Sequence, residues 1–133
     1  MIRRKLVRDQ SGATVVEMAF ALPALIVLIY GIAQLGLLFR AMSGIQHALG
    51  EGARTATLWP VPGVDAVKAE MGAAVYGIGP GTFTIVEPVA GTADGSDYLD
   101  LRVNYSQPTN LLVVPGPTIT VSRSKRVWVA ETD

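Results

Sequence analysis

The sequence predicts an α+β protein in which a long N-terminal transmembrane helix extends out of the membrane. A short helix and a small antiparallel sheet of about three strands complete it. Three observations carry this expectation. No charged residue occurs from Met18 to Phe39. Beyond that run, apolar residues continue at three- and four-residue spacing as far as the prolines at 60 and 62. Finally, Tyr98–Tyr105 alternates apolar and polar with the period of a half-buried strand. The chain accordingly divides into a basic leader (1–12), the helix with its extension (13–58) and a small α+β domain (59–133).

About 20 apolar residues cross the roughly 30 Å hydrocarbon layer of a bilayer, and the run from Met18 to Phe39 has that length. Its strongly polar member is Gln34. Arg3, Arg4, Lys5 and Arg8 precede it, opposed by Asp9 alone, and Arg40 follows it. That excess of positive charge is expected to hold the N-terminus in the cytoplasm and send the later residues across the membrane. The long stem of Arg40 is expected to snorkel to the far interface. A secretory signal peptide is the alternative. Ala41-Met42-Ser43 offers a small-x-small cleavage pattern, but the apolar run exceeds an ordinary signal core and Glu17 interrupts its start. A carboxylate at that point either reaches the headgroup layer or meets a positive charge, since a buried one costs about 2.5–3.5 kcal/mol at mid-helix.

Past Phe39 the residues Leu38, Met42, Ile45, Leu49 and Ala53 form one apolar face. Beside it, Gly44, Ala48, Gly52 and Ala56 make a ladder of small residues at four-residue spacing. Such a ladder permits close backbone approach, yet glycine costs about 0.8–1 kcal/mol of helix propensity relative to alanine. Close packing and a loosened helix both fit. If Ala13 to Leu58 is one helix it extends roughly 70 Å. Val64–Tyr76 reads as a short helix with Asp65 near its start, and the turn Gly77-Ile78-Gly79-Pro80-Gly81 follows. Strands are expected at Thr82–Val86, closed by Pro88, at Tyr98–Tyr105, and at Thr118–Ala130. In the last, Arg123 and Lys125 interrupt the apolar face, which implies a bulge, a bend or an edge position. Residues 59–133 contain no cysteine and are too few to build a comfortable core alone. The long helix or a partner must supply part of it. Leu111-Leu112-Val113-Val114, between Pro108 and Pro115, is either that contact or a fourth short strand.

Chemistry is hard to find. The net charge is zero, which gives no electrostatic argument for a nucleic-acid partner. The single histidine, His47, has one local carboxylate, Glu51, and is expected on a solvated helix face. The glycine-rich turn at 77–81 follows a helix, whereas a phosphate-cradling loop follows a strand and opens a helix. Asp94-Gly95-Ser96-Asp97 lacks the remaining ligands of a calcium loop and reads as turn chemistry. Trp59 and Trp128 are expected in ordinary core packing rather than at a membrane interface. No catalytic, cofactor or metal residue is assigned, and an enzyme is not expected.

The stretch Gly12-Ala13-Thr14-Val15-Val16-Glu17 resembles the processing site of type IV-like prepilins. The run to Phe39, with Val16-Glu17, Leu22-Pro23 and Tyr30-Gly31, resembles more narrowly the TadE-like proteins of tight-adherence pilus systems. The resemblance implies that prepilin peptidase cuts between Gly12 and Ala13 on the cytoplasmic face. It also implies that Glu17 neutralises the new terminal amine of a neighbouring subunit. Major pilins of these systems carry tyrosine after the glutamate, and Met18 stands here, which points to a minor pilin or pseudopilin. The implied partners are the lipid bilayer, the peptidase and other pilin-like subunits, and the implied location is the bacterial inner membrane with a periplasmic domain. The alternative is an uncleaved, membrane-anchored periplasmic binding module that enters no filament.

Overall fold

A computed structural model describes residues 11–110, 112 and 114–130. The basic leader residues Arg3, Arg4, Lys5 and Arg8, with Asp9, lie outside the described residues, as do Leu111 and Val113. Helix α1 spans Ser11–Ala56 in 46 residues and continues through Pro23. Helix α2 covers Val64–Ala74. Strands β1 (Thr82–Ala93), β2 (Ser96–Asn110) and β3 (Pro115–Trp128) form one antiparallel sheet in the order β1-β2-β3.

Helix α1 has two environments. From Gly12 to Phe39 its residues are exposed except for Gly31, Gln34 and Leu38, which are half-buried. From Ala41 onward one face is closed: Ala41, Ile45, Ala48, Leu49, Ala53 and Ala56 are buried. That face meets Val67 and Met71 of α2 and Leu99, Leu101, Val103 and Tyr105 of β2 in a single core. The upper part of the helix therefore supplies the core that residues 59–133 lack. Alternation in β2 sends its four apolar side chains to the helix while Arg102 and Asn104 face out.

The strands run longer than the sequence pattern suggested. β1 continues past Pro88 to Ala93, with a register shift between Val86 and Val89. Proline lacks an N–H, but an edge strand with a bulge needs none there. β2 and β3 extend together to the pairs Pro108↔Thr118 and Asn110↔Pro115, so the two strands form a hairpin; of the Leu111-Leu112-Val113-Val114 segment, Leu111 and Val113 lie outside the described residues. Pairing from Thr118 to Trp128 is uninterrupted, which resolves the Arg123 and Lys125 break as an edge position. The β1–β2 turn puts Asp94 at φ 53° and Gly95 at φ 76°, the left-handed pair of a two-residue hairpin.

One expectation fails plainly. Trp59 is not a core residue but is 71% exposed, because the helix ends at Ala56 and the prolines at 60 and 62 turn the chain away. Trp128 is also largely exposed and packs edge-on against Tyr98, with ring centroids 5.7 Å apart.

Candidate functional site

The described residues that could act on a partner lie along α1. Gly12, Ala13 and Glu17 are all exposed at its beginning, in helical backbone. Above them, Phe20, Leu25, Leu28, Ile29 and Ile32 are exposed around the helix. A helix apolar on every side has no stable place in water, since it offers no polar face to the solvent. It is also the one helix among the described residues that is long and apolar enough to cross a membrane, with a mean hydropathy of 2.3 in its apolar window.

The small-residue ladder is used within the chain. Gly44 lies against the backbone of Tyr76, where a Cβ would overlap the Tyr76 carbonyl. Gly52 faces the Met71 side chain, whose Cγ an added Cβ would overlap, and Ala48 and Ala56 are buried on the same helix. Close packing, not a loosened helix, therefore accounts for this stretch. Gly44 is required by this approach, and Gly77, at φ 68°, suits the turn out of α2. The stem of Arg40 lies along that turn, its Cγ 2.8 Å from where a Gly77 Cβ would sit.

Two polar arrangements lie beyond what the sequence pattern indicates. Gln34 accepts a hydrogen bond from the Asn110 amide at 3.0 Å and donates through Nε2 to the Asn110 carbonyl. The end of the β2–β3 hairpin is thus fastened to α1 beside Gly31 and Leu35. Its signal in the sequence was the one amide in an apolar run. The second centres on Tyr105, whose hydroxyl lies 3.0 Å from the Ile78 carbonyl and 2.9 Å from Gln107 Oε1. A hydroxyl has one proton and cannot donate to both. If the Gln107 amide presents Nε2 to Tyr105, the hydroxyl donates to Ile78, and the buried Nε2, otherwise without a partner, is satisfied. Burial pushes the Tyr105 hydroxyl above the ordinary phenol value.

Ionic contacts lie on the periphery. Arg126 donates to both carboxylate oxygens of Asp100, at 2.7 and 2.8 Å, and lies 3.8 Å from the centre of the Tyr98 ring. This fork holds the Asp100 carboxyl below its usual range. Lys68 of α2 meets Glu87 of β1 at 2.6 Å, and Arg54 meets Glu51 at 2.8 Å one turn away. His47 is exposed and sits 5.7 Å from the Tyr76 ring. No group of three histidines, aspartates or glutamates converges among the described residues. An open cleft of about 420 Å³ is lined by Val61, Val64, Tyr98, Leu99 and Val129, and its carboxylate, Asp97, accepts a bond from Thr92.

The family model described as TadE-like protein matches residues 12–54. The matched segment begins at the glycine before Ala13 and ends in the last turn of α1, so it coincides with the helix and stops short of the sheet. This is the family that the motifs of the first 40 residues suggest, and the match covers about a third of the chain. No curated protein and no solved structure matches the chain.

Proposed function

We propose that this chain is a minor pilin- or pseudopilin-like component of a tight-adherence pilus or a related secretion assembly. It acts through helix packing and protein–protein contacts and carries out no reaction of its own. Helix α1 anchors it in the bacterial inner membrane, with the basic leader cytoplasmic and the α+β domain outside. The observation that carries this reading is the division of α1. One part is wrapped by its own domain, and the part from Gly12 to Phe39 is left apolar and largely uncovered. A helix exposed in that way is suited to lipid first and to other helices later, because the same side chains serve both environments.

On this reading, prepilin peptidase removes residues 1–12, and the Ala13 amine becomes a positive charge at the membrane face. Glu17 then pairs with the terminal amine of a neighbouring subunit, where the low dielectric strengthens the attraction. Sequencing the N-terminus of protein recovered from its host membrane tests the processing step. A start at Ala13 is expected. A start at Met1 would instead describe an uncleaved anchor, and a start at Gly44 a secreted form. The pairing is tested separately by Glu17→Gln, which is expected to leave membrane insertion intact while weakening co-purification with other pilus subunits. Unchanged association would remove the carboxylate from the account.

A further inference from the structure

We propose that the end of the β2–β3 hairpin is a second membrane contact, seated at the boundary between headgroups and acyl chains of the extracytoplasmic leaflet. The inference rests on the reading of α1 as a membrane span. Three independent features lead to it. The Gln34–Asn110 pair fixes the hairpin end on α1 six positions before Arg40, the last charge bordering the apolar run, which is about 9 Å along the helix axis. The hairpin itself carries no charged residue from Val103 to Ser122, whereas Arg102, Arg123, Lys125 and Arg126 cluster toward its base. At its tip Leu112 is 50% and Val114 55% exposed.

The three features describe one gradient. Charge lies away from the membrane end, neutral polar residues such as Thr109 and Thr118 lie between, and bare aliphatic side chains lie at the tip beside the apolar helix. A contact in which apolar side chains enter the acyl boundary fits that order. The hairpin cannot go deeper, because irregular backbone facing hydrocarbon would lose its hydrogen-bonding partners. Gln34 therefore marks the outer limit of the hydrocarbon layer, not Phe39. Counting about 20 residues back from Gln34 brings the inner limit near Thr14. Glu17 then lies about one turn inside that limit and not at its rim, which makes a compensating charge more necessary.

The chain contains no cysteine, so single cysteines can report depth without further engineering. Full-length protein in phosphatidylglycerol–phosphatidylethanolamine vesicles would carry Leu112→Cys or Val114→Cys, with Ser96→Cys in the distal turn and Leu25→Cys in the span as references. Each would be labelled with a fluorophore and challenged with lipids bearing quenchers at shallow and central depths, and separately with a membrane-impermeant maleimide. The expected result is quenching of both tip positions by the shallow quencher, with maleimide reaction about tenfold slower than at Ser96→Cys. Tip positions that react as fast as Ser96→Cys and escape quenching, while Leu25→Cys is quenched, would overturn the proposal and leave the span intact. Protection without quenching that fades as protein is diluted in lipid would mean a second copy covers the tip, and would also overturn it. If Leu25→Cys itself escapes quenching, the membrane reading fails and this contact fails with it.

Discussion

Gly44 and Gly50 stand in the same helix, yet they should respond oppositely to alanine. At Gly44 the added methyl would overlap the Tyr76 backbone, which has little freedom to retreat, and overpacking of this kind costs about 1–3 kcal/mol. At Gly50 nothing lies within 4 Å, and alanine should stabilise by up to about 1 kcal/mol through helix propensity and the unfolded chain. Chemical unfolding in detergent of the two full-length variants checks both signs. Spacing made the ladder visible in the sequence but gave no means of telling a crowded glycine from an open one. That distinction depends on α2, whose path back along α1 is set by the turn at 57–63. Tyr105→Phe is a second residue-scale test, expected to cost about 1–3 kcal/mol because it leaves the buried Gln107 amide without the hydroxyl, while the Ile78 carbonyl keeps its bond from the Gly81 amide. Since burial raises the Tyr105 pKa, its contribution is complete below the unfolded value near 10.0 and is lost as pH rises through the folded value. Alkaline destabilisation should therefore begin above about pH 10 and be smaller in the phenylalanine variant.

At the scale of elements, the central strand was the most legible part because its alternation is uninterrupted and each apolar side chain points at α1. The ends of the strands were less so. Pro88 and the prolines around Gly116 look like stops in sequence, but they fall on an edge strand and in a hairpin, where the missing N–H disturbs no ladder. Both free edges carry features that discourage pairing: the Pro88 bulge on β1, and Arg123 and Lys125 on β3. The double change Arg123→Thr with Lys125→Val should leave the fold intact and increase concentration-dependent association, as seen by light scattering in detergent. The cross-strand fork between Asp100 and Arg126 has an acid signature. The lowered Asp100 pKa means that its stabilisation is present above the ordinary value of 3.8 and is lost as pH falls through the depressed folded value. Asp100→Asn should remove that part of the acid dependence in a pH series of thermal unfolding.

The whole molecule is a helix shared between two solvents. Its apolar run was legible from composition alone, because the absence of charge from Met18 to Phe39 is a one-dimensional property. The dependence of the small domain on the helix was also legible, because residues 59–133 are too few to build a comfortable core without a disulfide. What stayed hidden was how far the domain reaches down the shaft. That reach depends on β2 and β3 outrunning β1, which ends its pairing at Thr82↔Ser106, and on one amide at position 34 finding the hairpin. The central claim is that lipid solvates the uncovered part of α1 while the rest of α1 completes the core of the domain. Carbonate washing of membranes from the native host tests this most directly. The account predicts that the full-length protein stays with the bilayer and is released only by detergent. Recovery of the full-length chain in the aqueous fraction, folded and without detergent, would contradict it.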